Sequence, residues 1–257
     1  MIGSLQVWRR RLRTLGVGNV SLLALKRVLA RASLGRAQLF KYRLVAQPVP
    51  ADRWLSPRRG ADIDVRLLAA DAPELASLPR PSSVIAARFR QGAECLCASR
   101  GGEAVGFLWY TVGDYHEDEV RCRFSPRPRE ITAWDFDVYV DPAHRLGPAF
   151  LRLWDEANQR LREQGVRWSL SRIDAFNAAS MHAHRRMGAV AVGTLVFLVL
   201  GRLQLTMGSQ LRWFHAGFSS KSRPHVAPSV ECLEGKDAWT PAVDDTATKA
   251  REGSSCH

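Results

Sequence analysis

The 257-residue sequence has no hydrophobic run long enough to cross a bilayer. Its longest apolar stretch, residues 189–200, is interrupted by Gly193 and Thr194, whereas a membrane-spanning helix needs about 20 such residues. The first residues lack the apolar segment of a signal peptide, so we expect a cytoplasmic protein. Five cysteines without a CxxC pair, and histidines without ligand spacing, predict neither a disulfide framework nor a metal site.

Acidic residues are absent from the first 51 positions, which carry ten of the Lys and Arg residues of a chain with a net charge of +12. Apolar residues at helical spacing predict a helix over residues 21–34. These residues are Leu22, Leu25, Val28 and Leu29. We expect residues 1–50 to form a basic helical arm. Residues 1–45 suit contact with an anionic membrane, which would place the protein at the periphery of the inner membrane, or with RNA. The alternative is a helix that packs on the domain.

The middle of the chain alternates strand and helix patterns. Period-two alternation predicts three strand regions, at residues 62–68, at 94–112 as a hairpin and at 131–140. Apolar residues at helical spacing predict a helix over residues 148–164. We expect one α+β domain over residues 51–217, with a mixed, mostly antiparallel sheet of about six or seven strands flanked by helices. Residues 218–257 lack periodicity, and we expect a disordered tail there.

A loop that contains glycine leads from the strand ending at Val140 into the next predicted helix. Pro148 suits the first helical position, because its missing N–H would have no intrahelical partner there. The first turn has no carboxylate, so its backbone N–H groups favour an anion such as a pyrophosphate. His144 or Arg145 would add positive charge. The alternative is an ordinary turn between a strand and a helix.

A second motif follows the predicted strand at residues 166–173 and begins at Asn177. Positions three and seven after it lie on one face of a helix, so Ser180 and His184 would line the same pocket. Gly188 would end this helix. Such a pocket suits an enzyme that holds a thioester, and His184 could protonate the departing sulfur, because an imidazolium is available near neutral pH. The alternative is a histidine retained for packing.

The strand predicted at residues 131–140 contains two carboxylates. Strict alternation places Asp135, Asp137 and Tyr139 on one face of the strand. Carboxylates in the centre of a sheet are costly unless they are useful, and like charges this close raise the pKa of one of them. Asp137, or else Asp135, is therefore a candidate base. The alternative is an edge strand with solvated acids.

An acidic run precedes this strand. Its members are Asp114, Glu117, Asp118 and Glu119. A run of this kind is typical of a solvated loop, and the alternative is that it selects a cationic substrate.

Together these segments resemble the GNAT superfamily of acyl-coenzyme A-dependent N-acyltransferases over residues 62–203. The family's loop pattern is Gln or Arg, two residues, Gly, one residue, and Gly or Ala. Residues 144–149 fit it if His144 takes the first place, whereas with Arg145 there the loop is one residue short. The motif after Asn177 also fits, with a small residue, a proton donor and a glycine at the family's spacing. The family usually has a tyrosine where this chain has His184.

The resemblance implies an acyl-coenzyme A, acetyl-coenzyme A in the first instance, as co-substrate, with no metal. It implies that the backbone of Val138, Tyr139 and Val140 bonds the pantetheine and polarises the thioester carbonyl. It also implies that the loop holds the pyrophosphate. The loop residues are His144, Arg145, Leu146, Gly147, Pro148 and Ala149.

The same resemblance assigns roles beyond the loop. Asn177 and Ser180 would contact the cofactor. Asp137 or Asp135 would take the proton of the attacking amine, and His184 would protonate the thiolate. The acceptor would be a small-molecule or peptide amine.

We therefore expect direct transfer of an acyl group from acyl-coenzyme A to a primary amine in a ternary complex. Because the loop is short and the tyrosine is missing, the alternative is a catalytically inactive module of the same fold whose basic arm docks on membrane or RNA. A third alternative is a long-chain acyl donor, with the arm bringing the enzyme to lipid.

Overall fold

The computed structural model describes residues 16–56, 58–211, 214–219 and 221–233. The helices are α1 (Val17–Ala32), α2 (Ser82–Arg90), α3 (Ala149–Glu163) and α4 (Ala178–Arg186). The strands are β1 (Ala37–Pro48), β2 (Ile63–Leu68), β3 (Glu94–Arg100), β4 (Glu103–Thr111), β5 (Tyr115–His116), β6 (Arg123–Phe124), β7 (Thr132–Val140), β8 (Trp168–Asp174), β9 (Val190–Leu200), β10 (Leu203–Gly208), β11 (His215–Gly217) and β12 (His225–Val226). Among the described residues, no helix is both long enough and apolar enough to span a membrane.

Nine strands form the main sheet, in the order β11-β10-β9-β1-β8-β7-β4-β3-β2. Every neighbouring pair is antiparallel except β7 and β8, which are parallel. This arrangement confirms the predicted α+β class with a mixed, mostly antiparallel sheet flanked by helices. The described part of the chain has more strands in this sheet than the six or seven expected, and a second sheet of three short strands in the order β12-β6-β5.

Strand β1 lies in the middle of the main sheet, between β8 and β9, although the sequence predicts it as part of an arm ahead of the domain. Its residues Leu44 and Ala46 are fully buried, and its burial is nearly continuous. A strand covered on both faces has a nearly continuous apolar run instead of an alternating one. The boundary predicted at residue 50 therefore does not separate an arm from the sheet.

Helix α1 packs on this part of the sheet. Val20 is buried, and the Asn19 side-chain oxygen accepts a hydrogen bond of 2.8 Å from Lys41 of β1. Lys26 lies 5.2 Å from the centre of the Phe40 ring. Residues 1–15 of the predicted arm lie outside the described residues, and contact of the arm with a membrane or RNA stays a prediction.

The described residues 221–233 pack on the rest of the protein, although the sequence predicts a disordered tail from residue 218. Val226 and Val230 are fully buried in the cluster that contains Trp134, and β12 pairs with β6. Isolated apolar residues between prolines leave no periodic pattern, which explains the error. The rest of the predicted tail, residues 234–257, lies outside the described residues.

The two faces of the main sheet carry different helices. One face, named here the α3/α4 face, packs Leu108 of β4 and Ala133 of β7 against Leu153 and Trp154 of α3. On the other face, named the α2 face, Trp109 of β4 lies in a cluster with residues of α2. Neighbouring residues of a strand alternate between these faces, so each functional side chain of β7 can be placed on one of them.

Candidate active site

The parallel strands β7 and β8 separate part of the way along their length. Their pairing runs from Thr132 opposite Trp168 to Asp135 opposite Ser171. Beyond this point β7 continues to Val140, paired only with β4 on its other side. The backbone of residues 136–140 therefore has an open edge toward β8, named here the β7 edge.

The backbone groups of Val138 and Val140 face the β7 edge. The N–H of Asp141 donates a hydrogen bond of 2.9 Å to the carbonyl of Val105 in β4, so the hydrogen-bonding groups of Asp141 face β4. Successive residues of a strand direct their hydrogen-bonding groups to opposite sides, so those of Val140 face away from β4 and those of Tyr139 face β4. The Tyr139 ring stacks on Phe107. The carbonyl of Val140 already accepts a hydrogen bond of 3.0 Å from Arg145 Nε.

The predicted phosphate loop forms a tight turn at the start of α3. The Gly147 N–H donates to the His144 carbonyl at 3.0 Å, and the Leu146 side chain is fully exposed. The helix begins at Ala149, with Pro148 at the N-cap position instead of the first helical position. Helix ends are defined only to within one or two residues, so a difference of one position does not separate the two assignments.

The start of α3 has the features of an anion site. The first intrahelical bond runs from the Arg152 N–H to the Pro148 carbonyl at 2.9 Å, so the N–H groups of Ala149, Phe150 and Leu151 have no intrahelical partner. The first turn has no acidic residue. Such N–H groups, together with the helix dipole, attract phosphate groups.

The Asn177 motif forms α4, and Asn177 caps it. Its side-chain oxygen accepts a hydrogen bond of 3.0 Å from the Ser180 backbone N–H, as is typical of an N-cap asparagine. Gly188 follows the end of the helix with a φ of 82°, which confirms the predicted helix stop. The residues of α4 that line the cavity beside it are Ala179, His182, Ala183 and Arg186. Ser180 and His184 are not among them, and a pocket shared by these two residues stays a prediction.

His184 points into the core of the protein. It is 6% exposed, its Nδ1 lies 3.1 Å from the side-chain oxygen of Gln47, and its ring packs edge-on against Trp154. Burial lowers the pKa of His184 to about 4, so its imidazole is neutral at pH 7. This environment favours the packing role that the sequence left as the alternative to a proton donor.

Asp135 and Asp137 lie on opposite faces of the sheet, contrary to the prediction from strict alternation. Trp109 and Tyr110 of β4 pair with Asp137 and Asp135, respectively. Phe136 is thus the extra residue of a β-bulge, which shifts the alternation by one position. As a result, Asp137 shares the α2 face with Phe136, and Asp135 points to the α3/α4 face.

Asp135 lies at the point where β7 and β8 separate. It is 3% exposed, and its carboxylate accepts a hydrogen bond of 2.6 Å from Ser169 Oγ of β8. Burial raises the pKa of Asp135 to about 7. A carboxyl group with a pKa near the working pH is suited to general acid–base catalysis.

Two arginines hold Asp137 on the α2 face. Arg80 binds both carboxylate oxygens at 2.7 Å, and Arg88 binds one of them at 2.7 Å. Arg88 also binds Asp118. Because three charge-assisted hydrogen bonds occupy the Asp137 carboxylate, the geometry favours an anchoring role over proton transfer.

The acidic run before β7 is paired as well, not a solvated loop. Glu117 is buried and binds Arg172 through two hydrogen bonds of 2.5 and 2.6 Å, and Glu119 accepts a hydrogen bond of 2.6 Å from the Tyr42 hydroxyl. These pairs border a cavity of about 420 Å³ on the α2 face, beside Asp137. No sequence signal pointed to the arginines that complete it, since they lie far along the chain from their partners.

Comparisons with known proteins agree with this architecture. Residues 65–189 match the model of the acetyltransferase (GNAT) family. Searching the curated proteins returns no match.

Solved structures with a similar arrangement include an aminoglycoside acetyltransferase from an uncultured soil metagenomic sample, at 14% identity and a TM-score of 0.37, covering 50% of this chain and 88% of that chain. A functionally unknown conserved protein from Staphylococcus epidermidis is 15% identical with a TM-score of 0.46, covering 68% of this chain and 67% of that one. The aminoglycoside N-acetyltransferase AAC(6')-Iy in complex with coenzyme A is 21% identical with a TM-score of 0.39, covering 52% of this chain and 91% of that chain.

The family match spans β2 to the end of α4, and it contains the β7 edge, the turn before α3 and the Asn177 motif. Residues 65–189 are therefore a domain of the acetyltransferase (GNAT) family.

Proposed function

We propose that the protein transfers an acyl group, acetyl in the first instance, from acyl-coenzyme A to a primary amine by direct attack in a ternary complex. The observation that carries this proposal is the β7 edge, which opens directly beside the free N–H groups at the start of α3. The family of residues 65–189 supports acyl transfer as the reaction class.

The residues around this opening fit the chemical groups of coenzyme A. The N–H groups of Ala149, Phe150 and Leu151 would bind the pyrophosphate, next to the loop of residues 144–148. The carbonyl of Val138 and one of the two N–H groups of Val138 and Val140 would bond the pantetheine amides, which leaves the other N–H for the thioester. Acyl-coenzyme A supplies the thioester. The amine nitrogen bonds to its carbonyl carbon, the C–S bond breaks, and coenzyme A leaves as a thiolate that takes a proton from water.

Two tasks remain for the protein once both substrates are bound. A backbone N–H on the β7 edge, from Val138 or Val140, polarises the carbonyl oxygen. Asp135 takes the amine proton through water, because its carboxyl lies at the apex of the opening and its pKa of about 7 suits that exchange. Asp137 positions Arg80 and Arg88 beside the cavity on the α2 face, where the amine would enter.

The proposal is tested by thiol release from acetyl-coenzyme A across a panel of small-molecule and peptide amines, with binding of coenzyme A measured in parallel by calorimetry. We expect saturable binding and turnover with at least one amine. Binding without turnover for every amine class would support the catalytically inactive module instead. Absence of any saturable binding of acyl-coenzyme A or coenzyme A would overturn the proposal.

A further inference from the structure

The outward side of α1 is apolar. At 100° per residue, Val17, Leu25 and Val28 lie within an arc of about 80° around the helix axis. Val17 is 73% exposed and Val28 is 62% exposed. The other side of the helix, which carries Asn19 and Lys26, contacts β1. The helix therefore packs on the sheet along one side and directs apolar residues to the solvent along the other.

A fourth exposed apolar residue, Leu34, follows the end of the helix. Leu34 is 89% exposed, and its φ of 52° is one that glycine usually supplies at this position of a helix end. The Gly35 N–H closes the helix there with a hydrogen bond of 2.7 Å to the Ala30 carbonyl. Glycine at position 34 would form this turn with less strain, so the turn itself does not account for a leucine. Its exposure and conformation indicate a partner outside the chain.

The charges around this apolar side are basic. The helix and the turn after it contain no acidic residue, and Arg27, Arg31 and Arg36 are exposed. None of these three arginines forms an ion pair or a side-chain hydrogen bond with a described residue. Arg27 and Arg31 lie along one flank of the apolar arc. The sequence just before α1 adds four more arginines between residues 9 and 13, and no carboxylate.

An apolar helix side bordered by unpaired arginines fits the surface of an anionic lipid bilayer. The apolar side chains enter the boundary between headgroups and acyl chains there, and the arginines bind the phosphate groups. RNA would neutralise the arginines but would leave Leu25 and Val28 in water. A second copy of the chain would bring the same arginines together, without an acidic residue on α1 to compensate them.

We propose that α1 docks the protein on an anionic membrane surface, with the helix in the plane of the bilayer interface and Val17, Leu25 and Val28 inserted between the lipids. This inference does not depend on acyl transfer. Lys26 of α1 forms an ion pair of 3.8 Å with Asp174 at the end of β8. Docking would therefore bring the bilayer close to the strand that borders the β7 edge.

The test measures binding of the full chain to vesicles by cosedimentation. One set of vesicles contains equal parts of phosphatidylcholine and phosphatidylglycerol, and the other contains phosphatidylcholine alone. We expect binding to the anionic vesicles to be at least about tenfold stronger and to weaken as salt is added. Val28→Glu should weaken it by about tenfold or more, because it places a charge in the apolar interface. The double variant Arg27→Gln/Arg31→Gln should also weaken it by about tenfold.

Two matched controls make the same chemical changes outside α1. Val112→Glu alters another exposed valine, which follows β4. Arg58→Gln/Arg185→Gln removes two other exposed arginines. Both controls should bind the anionic vesicles like the unaltered protein, and thermal unfolding checks that all four variants are folded.

Equal binding to both sets of vesicles, or equal losses in the variants and their controls, would overturn the proposal. Full vesicle binding by Val28→Glu would overturn it as well. Two further results would assign the face to another occupant, if vesicle binding is absent. A molecular mass that rises with protein concentration, except in Val28→Glu, would indicate a second copy of the chain, and binding of an RNA oligonucleotide that the double arginine variant loses would indicate RNA. A failure of the acyl-transfer assay would leave this proposal unaffected.

Discussion

Asp135 and Asp137 are two positions apart in β7, yet their carboxylates lie on opposite faces of the sheet. The bulge at Phe136 separates them. Asp135 is thereby buried at the point where β7 leaves β8, whereas Asp137 reaches two arginines on the α2 face. The two acids therefore cannot take each other's role, and Asp135→Asn and Asp137→Asn should change different properties of the protein.

Asp135→Asn should abolish the rise of kcat with pH. In the unaltered protein the base must lose its proton, so kcat should increase as the pH passes about 7. Loss of a general base lowers kcat by about 100-fold or more. The measurement is a profile of kcat between pH 5.5 and 9 with a saturating amine, where Asp137→Asn should keep the inflection. An inflection that survives in Asp135→Asn would assign the proton to another group.

Asp135 should also make the protein less stable as the pH rises. Its folded pKa of about 7 lies above the unfolded value near 3.9, so the folded protein holds the proton more tightly. The free energy of unfolding therefore falls between pH 4 and pH 7, by up to about 4 kcal/mol from this residue. Urea unfolding across that range should show a smaller fall in Asp135→Asn. Parallel curves for the two proteins would contradict the burial of this carboxyl.

Asp137→Asn should destabilise the fold by about 3 kcal/mol, because it leaves Arg80 and the buried Arg88 without a compensating charge. Asp62→Asn is the matched control, since the Asp62–Arg100 pair is half exposed and is worth less than about 1 kcal/mol. Urea unfolding at pH 7 measures both. Similar small losses for the two variants would show that Asp137 is not a structural anchor.

The His184 ring should not titrate above pH 5. Its pKa of about 4 lies below the unfolded value near 6.5, so its stabilising contribution is complete above pH 6.5 and is lost as the pH falls toward 4, by up to about 3 kcal/mol. Nuclear magnetic resonance of the ring, assigned with His184→Gln, measures the titration directly. An inflection between pH 6 and 7 would restore His184 as a candidate proton donor.

Leu44→Ala should cost about 3 kcal/mol of unfolding free energy, because Leu44 is fully buried in the central strand β1. Gln38→Ala, an exposed position of the same strand, should change it by less than about 0.5 kcal/mol. Chemical unfolding of both variants provides the measurement. A negligible loss of unfolding free energy in Leu44→Ala would contradict the position of β1 in the core and favour the predicted arm instead.

Local patterns predicted the elements whose residues alternate or repeat cleanly. The helix expected over residues 148–164 is α3 (Ala149–Glu163), and the strand expected over residues 131–140 is β7 (Thr132–Val140). Strand β1 was placed in the arm ahead of the domain, because a strand buried almost continuously on both faces shows only weak alternation. The family resemblance in β7 and in the Asn177 motif extended the prediction from the fold to the reaction class.

The side-chain contacts of the site could not be predicted from the sequence. Arg80 and Arg88 meet Asp137 across about 50 residues of chain, and no local spacing signals such a contact. The bulge at Phe136 depends on the pairing with β4, so strict alternation placed Asp135 on the wrong face. The neutral state of His184 follows from the depth of its burial, which a helical spacing does not reveal.

The central claim is that the β7 edge and the start of α3 bind acyl-coenzyme A, and hydrogen exchange tests it most directly. With saturating acetyl-coenzyme A, the amides of Val138, Val140 and Ala149–Leu151 should exchange more slowly, while those of β3 stay unchanged. Protection confined to other segments, or none at a concentration that saturates the calorimetric signal, would contradict the site.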